Sequence, residues 1–359
     1  MILSVLLACS EEPPADRPGA EETAAPEGEV EPCLNTFEVD SLPAYDADFG
    51  TTPPIREEAL PALLSETGLY ADISAKEIHP AVLHYTPQFS LWSDGAEKER
   101  WIYIPECDVV DTTDMDSWSV PVGTRLFKEF AIDGVRVETR MVERIGAGPR
   151  DFAYASYQWN DDESEATKVG VDGLDDVHSS GHDIPSRDGC HRCHGGHALG
   201  GGLPSRALGF SAVQLSHEGG RALLDTLVAD GRLSEAPGDI QIPGDESAQA
   251  ALGYLHANCG NCHNDTPDGI PQVDLSLWLG AWVTTVTDSA AVQTAVDVPN
   301  LLFSDQHVSG RIVSAAPEES SVLYRMAQRG NTAQMPPLAS EHVDEDGLAI
   351  VRAWIEGLP

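Results

Sequence analysis

The chain has 359 residues, 41% of them hydrophobic, which is enough for two or three domains with real cores. Its 59 acidic residues against 21 basic ones leave a formal charge of −38, which repels nucleic acid and anionic membranes and selects a partner with a basic docking patch. The same charge serves equally as solvation chemistry for a salty habitat, because the acidic residues are spread along the chain.

The chain opens with an apolar run that ends in Leu6-Leu7-Ala8-Cys9, the ending of a bacterial lipoprotein signal in which Cys9 becomes the lipidated residue. The basic n-region of an export signal is missing, and the run is far too short to span a bilayer. Residues 1–9 are therefore read as a lipoprotein-type signal. Residues 10–50, rich in Glu, Pro, Ala and Asp, read as a disordered acidic tether, because they hold too few large apolar groups to offset the entropy of ordering.

A first folded region is expected over 52–175, antiparallel and β-rich. The spacing of Leu60, Leu63 and Leu64 predicts a helix over 57–69 that ends near Gly68. Strands are predicted over 101–104, 124–132, 135–145 and 152–159, with a hairpin turn at Asp133-Gly134. In the third of these, Arg136, Glu138 and Arg140 alternate with Val135, Val137, Thr139 and Met141, which reads as a strand with one wet face. Trp92, Trp101, Trp118, Tyr154, Tyr157 and Trp159 read as core rather than as an electron relay. The acidic runs at Asp161-Asp162-Glu163 and over 172–176 lack the spacing of a calcium loop and read as solvated turns.

From about 176 the texture changes to Gly, Pro and His, around Cys190-His191-Arg192-Cys193-His194. A second run of the same form, Cys259-Gly260-Asn261-Cys262-His263, follows a helix predicted over 245–258. Further helices are predicted over 222–233, 320–327 and 343–358. Both five-residue runs read C-x-x-C-H, the attachment pattern of a c-type haem. Two thiols on one helical turn form thioethers to the two vinyl groups of a porphyrin, and the following histidine faces the iron. Zinc or a disulfide pair is the alternative for two C-x-x-C pairs, but neither needs a histidine directly after both.

The expected cofactors are thus two covalent haems c. Cys190, Cys193 and His194 would hold the first, in a region over 176–244; Cys259, Cys262 and His263 would hold the second, in a cytochrome c-like region over 245–359. Met335, on a loop stiffened by Pro336 and Pro337, is the expected distal ligand of the second iron, and Met326 reads as core packing instead. For the first iron the distal ligand is open among His178, His182, His191, His197 and His217, with His182 and His197 on flexible flanks. Haem c is attached outside the cytoplasm, so an exported, periplasmic or outer-membrane-associated protein is expected, and Cys33 and Cys107 are either a disulfide or two thiols there.

With these residues placed, the chain resembles a group of bacterial diheme c-type cytochromes over roughly residues 60 to 359. The resemblance rests on Leu91-Trp92-Ser93-Asp94 with Lys98 and Arg100-Trp101, on 116–128, on Tyr157-Gln158-Trp159-Asn160 and on His182-Asp183-Ile184-Pro185-Ser186. It continues through 208–215, through 253–263 and into the Met335-Pro336-Pro337 loop. The C-terminal part is similar to cytochrome domains found with quinoprotein sugar dehydrogenases. The resemblance implies both haems, export and an accessory redox role. The fold class expected is α+β, an N-terminal antiparallel β-rich domain followed by a mainly α-helical haem-binding region. The function expected is single-electron transfer between redox partners. The alternatives are a peroxidase or other oxidoreductase subunit with an open first haem, and a β-domain that grips a ligand or partner.

Overall fold

The computed structural model describes residues 59–148, 151–194, 207–264, 273–338 and 340–359, with side chains at all of these except 191–193. An N-terminal antiparallel sheet is followed by a mainly α-helical C-terminal region. Strands β1 (Tyr70–Asp72) and β2 (Glu77–Ile78) form a small antiparallel ribbon. Strands β3 (Val82–His84), β4 (Glu97–Tyr103), β5 (Arg125–Ile132), β6 (Val135–Arg144), β7 (Phe152–Trp159) and β8 (Ala166–Lys168) make one six-stranded sheet in sequential order. The β5–β6 turn is the predicted hairpin. Asp133 (φ 50°) and Gly134 (φ 78°) both take the left-handed conformation that matches strand twist.

Two expectations differ in kind from what is observed, while the strand over 101–104 and the helix over 222–233 are observed at Glu97–Tyr103 and Glu218–Ala229. Among the described residues the helix predicted over 57–69 is a single 3-10 turn, Leu64–Thr67, closed by Gly68 at φ 78°. Pro61 removes a helical donor, and the Thr67 hydroxyl donates to Leu64 O at 2.7 Å, which favours a tight turn over a continuing helix. The wet face of β6 is the second difference. Glu138 is fully buried. A register shift between Phe130 and Ala131 sets Arg136 opposite Ala131 and away from the row of Glu138 and Arg140. Arg136 instead pairs with Glu129 (2.8 Å) and Glu163 (2.9 Å).

Because side chains alternate along a strand, each face of the sheet buries its own set. One face carries Trp101, Phe127, Met141 and Ala155 in a cross-strand row and packs under Leu60, Leu64, Leu69 and Tyr70. The other carries Ile102, Leu126, Val142 and Tyr154. Against that second face lie the chain after helix α1 (Arg187–His194), helix α2 (Ala212–Leu215) and helix α3 (Glu218–Ala229), through Phe210, Leu215, Leu224 and Leu227. The sheet and the segment over 207–233 therefore share one core. Trp101, Trp118, Tyr154, Tyr157 and Trp159 are buried, as read from the sequence, while Trp92 is half-buried.

The second core is helical. Helix α4 (Glu246–Leu255) starts at Asp245, whose carboxylate accepts from Ala248 N at 2.9 Å. Helices α5 (Ala290–Ala295), α6 (Ser321–Met326) and α7 (Glu345–Glu356) complete it, around Leu252, Leu255, Leu323, Val351, Trp354 and Ile355. Met326 is 6% exposed and sits in this cluster, as its sequence setting suggests. α4 and α7 cross closely at Gly347, where an added Cβ would stand 2.3 Å from the Tyr254 ring. Gly347→Ala is expected to lower stability by about 1–3 kcal/mol through overpacking; an unchanged thermal midpoint would show that the ring moves aside without cost.

Cys107 is disulfide-bonded, and Cys33, the partner the sequence offers for it, lies outside the described residues. The signal and tether expected over 1–50, Cys9 included, lie outside them too. Among the described residues no helix is long and apolar enough to cross a membrane.

Candidate functional site

α4 runs straight into the second C-x-x-C-H motif, and at Leu255 its backbone widens into a π turn, His256–Gly260. Such insertions in a helix are frequent at functional sites. The amides of Cys262 (3.1 Å) and His263 (2.8 Å) both donate to Cys259 O, so the three motif side chains leave one helical turn. Cys190, Cys259 and Cys262 carry thiols. Burial, with a smaller contribution from Cys262, pushes the Cys259 thiol up to about 12. Among the described residues no group of three or more His, Cys, Asp or Glu side chains is arranged to hold a metal ion.

His263 is held as an uncharged imidazole. Burial, aided by the charges of Arg325 and Arg311, holds its imidazole down at about 4. The ring is neutral at pH 7 and keeps a lone pair to donate. Its Nδ1 is buried without a hydrogen-bond partner among the described residues. Met335 is half-buried on the loop that follows α6. Its amide donates to Arg325 O at 3.1 Å, and Arg325 Nε donates to Ala333 O at 2.9 Å. One residue, Arg325, thus both anchors the methionine loop and acts electrostatically on His263.

The first motif occupies α1, which lies against β7. Cys190 packs on the core shared by the sheet and the segment over 207–233. The His194 ring is 5.6 Å from that of Tyr154. A cavity of about 480 Å³ opens here, and its walls include Cys190 and His194 of the first motif together with Cys262 of the second. Tyr85, Trp118 and Phe210 line its apolar part; Pro336, Pro337 and Leu338 of the methionine loop line another side. The loop Leu91-Trp92-Ser93-Asp94 ties the sheet to the second motif. Trp92 N donates to Asn258 Oδ1 at 2.7 Å, and Asp94 accepts from the amides of Glu341 and His342.

The histidines offered as distal ligands fall into two groups. The His191 and Cys193 side chains and all of His197 lie outside the described residues. The others each hold a protein partner. His182 is 5% exposed and lines the cavity, with Nε2 2.8 Å from Glu138 Oε2. His178 places Nε2 2.7 Å from Trp159 O and Nδ1 3.0 Å from Asp161. His217 Nε2 is 2.7 Å from Thr86 O. One cavity histidine, His256, was missed because nothing marks it apart from its place before Cys259. It is buried, and its Nδ1 accepts from Leu279 N at 3.1 Å, which puts the ring proton on Nε2 and argues against ligation through that atom.

Sequence reasoning also missed the basic residues of the cavity. Arg100, Lys128 and Arg140 all line it; of the three, only Arg140 falls in the alternation that reads as a wet face. Arg140 grips Glu138 with two hydrogen bonds, Nε to Oε1 at 2.7 Å and Nη2 to Oε2 at 2.8 Å. Burial pushes the Glu138 carboxyl up, but Arg140 and His182 outweigh it and hold the group at about 2. A folded-state value below the ordinary 4.5 means the pair stabilises fully above that pH and loses its contribution as pH falls toward 2. Glu138→Gln is expected to flatten this acid limb and to cost about 3–5 kcal/mol at pH 7, because Arg140 is left without its buried counter-charge. An acid denaturation curve identical to that of the wild type would contradict this. Comparison with protein-family models, curated proteins and solved structures returned no match.

Proposed function

We propose that this chain is an exported diheme c-type cytochrome that relays single electrons between redox partners. The observation that carries the reading is that Cys190 and His194 of one C-x-x-C-H motif and Cys262 of the other line the same cavity of about 480 Å³. Two redox centres attached there would be near neighbours, which is what a relay requires. Haem supplies a one-electron couple at its iron when bound, with a potential set by axial ligands and burial. Cys190, Cys193 and His194 would hold one group. Cys259, Cys262, His263 and Met335 would hold the other. Tyr85, Trp118 and Phe210 keep water from the apolar wall, and Arg325 holds the Met335 loop in place. The resemblance to bacterial diheme cytochromes supports the same reading, as does the −38 charge for a partner with a basic patch. A tether through lipidated Cys9 at the periplasmic or outer-membrane surface belongs to this proposal.

One observation favours a second reading, an oxidoreductase with an open first iron. Every distal-ligand candidate whose side chain is described, His178, His182 and His217, is committed to a protein partner. A pyridine haemochrome assay with low-temperature EPR separates the two. Two attached haems, both low-spin, support the relay. A high-spin signal that shifts with cyanide or CO supports the enzyme, and absence of covalent haem overturns both.

A further inference from the structure

Arg100 on β4, Lys128 on β5 and Arg140 on β6 stand directly opposite one another in a single cross-strand row that ends at Ser156 on β7. Neighbours in such a row are about 4.5–5.5 Å apart, and like charges there destabilise a sheet. Three adjacent cations on the wall of a cavity, in a chain of net charge −38, therefore call for a counter-charge.

Part of that counter-charge is present. Glu138 neutralises Arg140. Lys98, one row further along β4, donates to Leu91 O at 2.7 Å and feels the carboxylates of Asp344 and Asp94. Arg100 and Lys128 have no hydrogen-bonded counter-charge among the described residues, and Glu138, already bound to Arg140, acts on Lys128 only at longer range. Arg100 is only 6% exposed, yet no described residue accepts a hydrogen bond from its guanidinium; Tyr85 and Glu99 act on it electrostatically, and Glu99 is already bonded to His84. Lys128 lies over the Phe130 ring at 4.7 Å and likewise has no described acceptor. Burial first, and then Arg100, Arg140 and Lys98, hold its ammonium well below the ordinary lysine range.

The row beside these cations is apolar, Ile102, Leu126, Val142 and Tyr154, about 7 Å along the strands. Tyr154 is the residue that His194 of the first motif approaches. The wall thus runs from attachment motif to apolar row to two basic side chains without a hydrogen-bonded acceptor among the described residues. That order matches a macrocycle fixed at its vinyl edge, flat and apolar in the middle, with two carboxylates at the opposite edge.

We propose that Arg100 and Lys128 receive the two propionates of the haem attached at Cys190 and Cys193. The proposal rests on the cytochrome reading and names the groups that orient the first haem and set its potential. Arg100 would bind one carboxylate through its planar fork, and Lys128 would neutralise the other as a point charge.

The test uses the full-length holoprotein. Haem count in the wild type is measured first, and fewer than two attached haems overturns the cytochrome reading itself. With two present, Arg100→Gln and Lys128→Met are each compared with wild type by spectroelectrochemical titration. Removing a cation favours ferric iron, so the ferric-to-ferrous ratio of one haem at fixed potential should rise at least tenfold, about 59 mV for one electron. The other haem should stay in place, Arg100→Lys should restore most of the shift, and the surface variant Arg221→Gln should leave both potentials unmoved. If Arg100→Gln does not accumulate, Lys128→Met carries the comparison. Two attached haems with neither potential changed in Lys128→Met overturns the assignment while leaving the cytochrome reading intact. Saturable stabilisation of wild type by succinate or phosphate, lost in Lys128→Met, would also overturn it by showing that the row holds a free anion.

Discussion

Replacing Cys259 and Cys262 together by serine is expected to halve the covalently attached haem in a pyridine haemochrome assay, the remainder being carried by the first motif. The two thiols leave one turn at the end of α4, and no other described cysteine pair shares that region. The helical core also weakens. Cys259 packs against the cluster formed by α4 and α7, and a serine hydroxyl there is buried without a designed partner, at a cost of about 1–3 kcal/mol. Serine at Cys190 and Cys193 should remove the other half. A haem content that survives the Cys259/Cys262 pair unchanged would show that this motif is not an attachment site.

The second large effect is expected at Met335. Met335→Ala should abolish the near-infrared sulfur-to-iron band and lower one midpoint potential, a shift that is an appreciable part of the ~0.8 V range commanded by axial ligands. A thioether favours ferrous iron, so Met335→His should keep that haem low-spin at a still lower potential than wild type. Met326→Leu is the contrast. Met326 sits in the α4–α7 core, where a swap of similar volume costs less than about 1.5 kcal/mol and should leave the band intact. If instead the band vanishes in Met326→Leu and persists in Met335→Ala, the ligand assignment is reversed.

The strands legible in the sequence were those with strict period-two alternation and a turn signal between them. The strand at 152–159 is observed at Phe152–Trp159, and the Asp133-Gly134 hairpin is where the turn chemistry puts it. β4 was clipped at its start because Glu97, Lys98, Glu99 and Arg100 look like a solvated run, although Arg100 is buried. β1, β2, β3 and β8 are two or three residues long and carry too short a pattern to be read. The helices over 245–258, 320–327 and 343–358 match α4, α6 and α7 closely, since each has an apolar stripe and α4 and α7 also have an aspartate cap.

The candidate attachment residues were legible because C-x-x-C-H is local: everything it needs lies within one turn, and short-range spacing survives in one dimension. Local too are the prolines after Met335 and the apolar stripes that lead into the motifs. The cation row is not local. Arg100, Lys128 and Arg140 become neighbours only through strand register, and a bulge at Phe130/Ala131 decides which arginine of β6 joins them. Taken one strand at a time, an arginine between apolar residues means a wet face; only the packing of α1, α2 and α3 over that face turns it into the wall of a cavity. The sequence by itself determined the α+β order and the two thiol–histidine motifs, because both are written in short-range spacing. The tertiary structure alone decided that residues of both motifs line one cavity and that basic side chains line it too, because long-range pairing and burial set the electrostatics of a site.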